Sequence, residues 1–263
     1  MITSANNEKI KYLKKIIKYS TFRKEEKKCA VEGIKIISEI NPSQILEVFV
    51  SDSFYYLLKK DEKILDNIRA NSTKITIIRD DIFNKISDTK TPQGIIAIIQ
   101  CSNTRINNIF NNNNKIIFAL DNIQDPGNMG TIIRTFNALI NGSIIISNAS
   151  VDIYNPKVIR ASAGSIFRDN IYISDDLKRD LLLLKNKNYK IYSTVVYDSV
   201  NIDDVEYDNK TCIVIGNEGK GVNQNIIDIS DKKIHIKIND SVESLNASVA
   251  ASIIMYEVRN RII

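Results

Sequence analysis

The chain has one histidine, three cysteines, four prolines and no tryptophan in 263 residues. A single histidine, His235, leaves no partner for a His-rich metal cluster and argues against a Ser–His–Asp triad. It sits in an alternating stretch, Ile234-His235-Ile236-Lys237-Ile238, and reads as an outward-facing strand residue. Cys29, Cys101 and Cys212 are scattered and odd in number. They lack metal-ligand spacing and argue against a disulfide framework. No apolar run approaches the roughly 20 residues needed to cross a bilayer. The opening residues, MITSANNEKIKYL, contain no apolar core of a signal peptide. These absences together lead us to expect a cytoplasmic protein that binds no metal and touches no membrane.

What is present is ordinary for a globular chain: 43% hydrophobic and 25% charged residues, enough for two modest domains. The formal charge is +5, and it is placed unevenly. Residues 1–103 hold 18 Lys/Arg against 13 Asp/Glu, whereas residues 104–263 hold 18 of each. A polyanion would therefore meet the N-terminal part first, although a lysine-rich helix is also commonly just a solvated face.

The N-terminal part alternates between helical and strand patterns. Residues 8–18 carry apolar side chains at 10, 13, 16 and 17 with lysines between them, an amphipathic helix. A basic loop, Arg23 to Lys28, follows, then a strand at 29–31 and a helix at 34–40. A strand is expected at 45–50, a helix over 54–69 with a break near Lys60-Asp61, a strand at 74–79, a short helix at 82–86 and a last strand at 95–100. This is a small α/β domain, 1–103. Residues 102–114 are polar and Asn-rich, offer no core of their own, and read as a linker at 104–114. In the second domain, 115–263, strands are expected at 115–120, 143–147, 170–173, 189–195, 211–215 and 234–238. Helices are expected at 127–140, 156–163, 176–186, 222–228 and 245–260. Continuous apolar runs such as Ile144-Ile145-Ile146 imply a mostly parallel sheet covered on both faces.

Three stretches of the second domain carry chemistry. Asp121 to Ala138, DNIQDPGNMGTIIRTFNA, follows a strand, turns through Asp125-Pro126-Gly127-Asn128 and opens a helix. Asp125 suits the N-cap and Pro126 the first helical position, and the first free N–H groups of such a helix favour anions. Ile213 to Gly221, IVIGNEGKG, is a strand ending in a Gly-rich acidic turn. Ser241 to Ser248, SVESLNAS, is a polar loop before an apolar C-terminal helix. Taken singly, these stretches fit plain structural roles: a capped crossover helix with a surface Arg134, an exposed turn carboxylate at Glu218, helix capping by Ser244 or Asn246, and core packing for Ile236, Ile238 and Leu245.

Together, in this order and each after a strand, the three stretches resemble the signature motifs of the SpoU family, in the SPOUT class of S-adenosylmethionine-dependent RNA methyltransferases. The resemblance is strong from Lys115 to Ile263. It extends more weakly to the N-terminal part, where Val31-Glu32-Gly33 and Thr91-Pro92-Gln93-Gly94 resemble the ribosomal-protein-like α/β/α domain that handles RNA in many rRNA-directed members. The resemblance implies an α/β fold: that small domain followed by a mostly parallel SPOUT domain whose C-terminal part is tied in a trefoil knot. Knots are too rare for the residues themselves to suggest one.

The implied reaction moves a methyl group from S-adenosylmethionine to a ribose 2′-hydroxyl of RNA, 23S rRNA ahead of tRNA because of the N-terminal domain. A non-catalytic RNA-binding or ribosome-assembly protein on the same fold is the remaining reading. By position, Arg134 is the family's catalytic arginine. A guanidinium is a permanent cation, so clamping the phosphate beside the ribose and polarising the hydroxyl suits it better than acting as base. Asn128, Glu218, Ser244 and Asn246 complete the implied catalytic set. The main chain at Gly216, Ile236, Ile238 and Leu245 would grip the cofactor, with Gly216 leaving room for adenosine. Lys237 stands where the family commonly has proline. Lys11, Lys14, Lys15 and Arg23 in the N-terminal part would meet RNA phosphates. So would Lys157, Arg160 and Arg168 around the stretch from Asn155 to Gly164, which also follows the family. The family further implies a homodimer through the second domain, for which Val249, Ile253 and Tyr256 of the C-terminal helix offer a face.

Overall fold

The computed structural model describes residues 1–58, 74–101, 106, 109, 115–168, 170–239 and 241–262. Most of the expected helix 54–69, including the break near Lys60-Asp61, lies outside them, as does all of the 104–114 stretch except Ile106 and Ile109. The chain forms two compact units. One comprises Met1–Ser102 with Tyr154–Phe167, the other Asn103–Ile153 with Arg168–Ile263.

The first unit opens with α1 (Glu8–Lys18), whose N-cap Asn7 accepts a hydrogen bond from the Lys9 N–H at 3.0 Å. Its buried residues are Ile10, Leu13 and Ile16, the spacing that keeps one helical stripe against a sheet. α2 (Ser20–Glu26), β1 (Lys28–Glu32), α3 (Ile34–Glu39), β2 (Ile45–Ser51), α4 (Asp52–Leu58), β3 (Lys74–Ile78), α5 (Asp80–Ile86) and β4 (Ile95–Gln100) follow. The sheet order is β1-β4-β2-β3. β4 runs antiparallel to β1 and β2, and β2 runs parallel to β3. The stretch expected as a basic loop at Arg23–Lys28 is mostly helix. Its run of charges hides the packing of Phe22 against Tyr12, an edge-on ring pair 5.5 Å apart. Gly94 must be glycine: its φ is +82°, and a Cβ there would lie 2.6 Å from that of Phe54.

The second unit begins with β5 (Ile116–Leu120), α6 (Pro126–Leu139) and β6 (Gly142–Ser147). The chain then gives α7 (Pro156–Ala161) to the first unit. There Arg160 pairs with Asp88 at 2.9 Å, and Gly164, at φ +83°, abuts Ile36 of α3. Back in the second unit come β7 (Ile171–Ser174), α8 (Leu177–Asn186), β8 (Lys190–Thr194), β9 (Val200–Asn201), β10 (Thr211–Ile215), α9 (Gln224–Ile227), β11 (Lys232–His235) and α10 (Ala247–Ile262).

The seven strands lie in the order β7-β6-β5-β10-β8-β11-β9, and every pairing is parallel. Side chains alternate between two buried faces. Ile117 and Ala119 of β5 point into one cluster with Val214, Leu181 and Leu184, while Phe118 meets Phe136 of α6 edge-on, 5.7 Å apart. Both faces of β5 and β10 are therefore dry, which is why these strands read as unbroken apolar runs. Ile109, from the polar stretch that offered no core of its own, is buried in the first of these clusters, with Ile106 packed beside it.

Two features of this sheet govern where its loops go. Strand order reverses between β5 and β10, the kind of switch point where loops splay apart at the carboxyl ends of parallel strands and leave a crevice. Separately, β11 lies between β8 and β9, although β8 and β9 are joined by only five residues, 195–199.

Candidate active site

Three loops meet at the carboxyl end of the second sheet. The loop after β5 runs from Asp121 to the N-cap of α6. The Asp125 carboxylate accepts from the Asn128 N–H at 2.8 Å, and Pro126 occupies the first turn, so the cap is built as the residues suggested. The loop after β10 folds back on itself: Asn217 and Gly221 exchange two main-chain hydrogen bonds of 3.0 and 2.9 Å. This fold-back explains Gly216. A Cβ there would stand 2.2 Å from the main chain of Gly221 and Val222. The space opened by the missing side chain is thus filled by the loop itself, not left for adenosine. The third loop ends at Asn246, whose Oδ1 accepts from Ser248 N (2.9 Å), Ser248 Oγ (2.6 Å) and Val249 N (3.3 Å). Asn246, not Ser244, therefore caps α10.

The loops are tied to one another by side chains. Asn246 Nδ2 donates to Asn128 Oδ1 at 3.0 Å, and Asn128 Nδ2 donates to Glu218 Oε1 at 3.1 Å. Glu218 also accepts from the main-chain N–H groups of Gln124 and Asp125, each at 3.2 Å. Burial alone would raise the Glu218 carboxyl. The hydrogen bonds from Asn128 and from the main chain of Glu218, Gln124 and Asp125 outweigh it and hold the group below the ordinary glutamate value. A carboxylate so held is a weak base and a firm anchor.

Residues that the motifs did not single out brace this chain. Asn217 Nδ2 donates to the Asn122 carbonyl at 2.8 Å, and Asn122 sits at φ +59°. Gln124 Nε2 donates to Asn122 Oδ1 and to the Ala149 carbonyl. Asp121 is buried and accepts from the Asn223 N–H at 2.7 Å; burial raises its carboxyl. Asn is the residue most tolerant of a left-handed turn after glycine, and that was the one signal at Asn122 open to a reader of the sequence. Thr194 closes β8 between the neighbouring ends of β10 and β11, with its Oγ1 donating to the Val214 carbonyl at 2.9 Å.

The remaining expected residues are more dispersed. Arg134 is exposed on α6, and its side chain has no hydrogen bond or ion pair among the described residues. It is not joined to the Glu218–Asn128–Asn246 chain. Ser244 is exposed in its loop. β11 ends at His235, so Ile236 and Ile238 lie in the following loop and not in a strand. They and Leu245 are half-buried, and they join neither the core cluster around β5 nor the one beneath α1. Among the described residues, no main-chain group of Ile236, Ile238 or Leu245 pairs with another main-chain group. Half-buried apolar side chains beside unpaired backbone donors and acceptors fit the adenosine end of S-adenosylmethionine, which needs an apolar slot and hydrogen bonds at its edge.

Of the expected RNA contacts, Lys11, Lys14 and Lys15 lie on the exposed face of α1. Arg23 does not: it is 4% exposed, and its Nη1 donates to the carbonyls of Ile16 and Ile17 at 2.8 and 2.9 Å. It closes the end of α1, where backbone carbonyls lack partners, and is removed from the RNA-contact set. Lys157 is exposed, and Arg160 is held by Asp88. Arg168 is exposed beside Asn137, Asn141 and Asn170, around the amino-terminal ends of β6 and β7. The three loops leave the sheet from its carboxyl end.

Residues 115–256 match the SpoU rRNA Methylase family, and residues 7–97 match the MRM3-like substrate binding domain. The chain is 26% identical over 264 residues to the 23S rRNA (guanosine(2553)-2′-O)-methyltransferase RlmP of Bacillus subtilis (strain 168), covering 98% of each chain. Its fold is similar to the AdoMet-bound rRNA methyltransferase from Sinorhizobium meliloti (TM-score 0.86, 21% identity, 100% of this chain and 98% of that one). It is also similar to the SpoU methyltransferase AviRb from Streptomyces viridochromogenes in complex with AdoMet (TM-score 0.82, 21% identity, 97% and 98%).

Proposed function

The chain belongs to the SpoU rRNA methylase family and is an S-adenosylmethionine-dependent RNA 2′-O-methyltransferase, and we propose that its substrate is 23S rRNA. The observation that carries the reading is the Glu218–Asn128–Asn246 chain, which joins all three motif loops at the switch point of the sheet. The match of residues 7–97 to a substrate-binding domain and the full-length likeness to RlmP favour rRNA over tRNA.

When bound, S-adenosylmethionine supplies the electrophilic methyl group and its leaving group. The protein's task is to hold the partners in line. The main chain around Ile236, Ile238 and Leu245 holds the adenosine end. Glu218, already an anion engaged by three donors from neighbouring residues, orients Asn128 and is not the proton acceptor. Asn128 and Asn246 fix the loops against each other. Arg134, whose side chain has no hydrogen bond or ion pair among the described residues, clamps the phosphate next to the target ribose and polarises the 2′-hydroxyl. Lys11, Lys14, Lys15 and Lys157 meet the RNA backbone.

The protein acts as a homodimer in the cytoplasm. Val249, Ile253 and Tyr256 form an exposed stripe on α10, at 47%, 39% and 58% exposure, and such a stripe suits a self-complementary interface. Among the described residues, no helix is long and apolar enough to cross a membrane. Supporting the trefoil knot is the position of β11 between β8 and β9. The test is ribose-methylation mapping of total RNA from a strain lacking the gene, with purified protein added back. One large-subunit rRNA position should lose its methyl group and regain it. A lost mark on tRNA alone would move the assignment to tRNA, and no lost mark would overturn the substrate.

A further inference from the structure

Three neighbouring strands, β10, β8 and β11, end in loops that each hold an exposed side chain. Lys220 follows β10, Tyr197 follows β8, and Lys237 follows β11. The loops that hold Lys220, Tyr197 and Lys237 leave neighbouring strands at the same end of the sheet, and the link that carries Tyr197 passes over the end of β11 to reach β9. Tyr197 is 83% exposed, the most exposed of the large hydrophobic side chains among the described residues, and Val196 beside it is 54% exposed. The link that carries it is fastened on both sides. Val195 N donates to the Ile234 carbonyl at 3.0 Å, Asp198 pairs with Lys233, and Ser199 Oγ lies 3.0 Å from His235 Nδ1. The side chains of Tyr197, Lys220 and Lys237 have no hydrogen bond, ion pair or ring contact among the described residues. Glu218, next to Lys220, is turned toward Gln124, Asp125 and Asn128 and does not neutralise it.

An anchored loop that holds a bare aromatic ring in water, with exposed lysines in the loops leaving the neighbouring strands, matches one ligand chemistry. A single-stranded nucleotide offers a flat base between two phosphates. We propose that Tyr197 is a stacking platform for an unpaired base of the RNA substrate, with Lys220 and Lys237 engaging the phosphates around it. The proposal rests on the RNA methyl-transfer reading and adds how the substrate is seated. A ribose 2′-hydroxyl has to reach the loops at the sheet's carboxyl end, and a nucleotide drawn out of its stack needs another surface for its base.

The chain has no tryptophan, so Tyr197→Trp installs a sole indole at the platform. With an unmodified transcript of large-subunit rRNA, indole emission should fall by about half, since a stacked base quenches it. S-adenosylhomocysteine alone should leave the emission nearly unchanged. Tyr197→Ala should raise KM for the transcript about tenfold with kcat and cofactor affinity kept, and Tyr197→Phe should behave as wild type. The Lys220→Ala, Lys237→Ala pair should lower the slope of log affinity against log salt by about 1.5. An unchanged KM for Tyr197→Ala would overturn the proposal. So would steady Trp emission at RNA concentrations that saturate filter binding. If the wild type transfers no methyl group, the methyl-transfer reading fails, while the emission and filter measurements, which need only binding, still decide the stacking.

Discussion

Replacing Asn128 by aspartate keeps the shape of the side chain and reverses one hydrogen bond. In the native protein Asn128 Nδ2 donates to Glu218 Oε1 at 3.1 Å, while its Oδ1 accepts from Asn246. Aspartate can still accept from Asn246, but it places a second carboxylate oxygen against Glu218. Two carboxylates at that distance cannot both stay ionised cheaply, and one of the pair is raised well above the usual range. Below that raised value the shared proton restores a donor and the three loops stay joined. Above it the donor is lost and replaced by repulsion. A hydrogen bond to a charged group contributes about 1.5–3 kcal/mol. Because Glu218 is substantially exposed, we take about 1–2 kcal/mol for the loss, and roughly 1.4 kcal/mol is tenfold in rate. The variant should therefore transfer methyl groups about 5- to 30-fold more slowly than wild type at pH 8 and recover much of the gap near pH 6. The assay is single-turnover methylation from pH 6 to 9, read as the ratio of variant to wild type so that the chemistry's own pH dependence cancels. The native contribution has the opposite sign: Glu218 is held low, so its stabilisation is present above the ordinary glutamate value and fades as pH falls through the lowered one. A ratio that is flat with pH would refute the reasoning, because it would mean that the Asn128–Glu218 contact does not set the geometry of the loops.

Arg134→Ala should slow methyl transfer by roughly two to four orders of magnitude with cofactor affinity nearly unchanged, and Arg134→Lys should restore little, because an ammonium lacks the planar fork; a near-wild-type alanine variant in single-turnover assays would remove Arg134 from the mechanism. Neutralising Lys11, Lys14, Lys15 and Lys18, all on the exposed face of α1, should weaken RNA binding and flatten its salt dependence without touching cofactor affinity, as filter binding at several salt concentrations would show. Ile253→Asp puts a charge in the exposed stripe of α10 and should yield a monomer by light scattering at micromolar concentration; an unchanged mass would place any dimer contact elsewhere.

The strands of both units were legible, for a physical reason. Buried strands leave apolar runs such as Ile116–Leu120 and Cys212–Ile215, so the strands of the first unit and six of the seven in the second were expected, all to within a residue at each end except β11, expected at 234–238 and found at Lys232–His235. The two-residue β9 is too short to leave any period. That the three motif loops would be joined by Asn128 could not be read either, since the pairings span 90 and 118 positions. Arg23 shows the converse error. A cation in a basic stretch looks like a ligand for phosphate, yet this one folds under α1 to satisfy carbonyls. Composition counts charges and says nothing of which backbone groups need them. Gly216 is glycine for a reason internal to the protein, the crossing of Gly221 and Val222, which only a folded loop can display.

The slot between β8 and β9 sets an order of assembly. Its two walls are tied together by residues 195–199, made well before β11 in the growing chain. β11 must find a place between walls that are already connected. β11 thus fills the place beside the edge strand β9, which has no neighbour to pair with until β11 arrives. Parallel pairing over such separations is slow, so a growing chain holds an open edge, with its catalytic loops unassembled, until β11 and Asn246 have been delivered. The three joined loops therefore cannot form before Asn246 has been made.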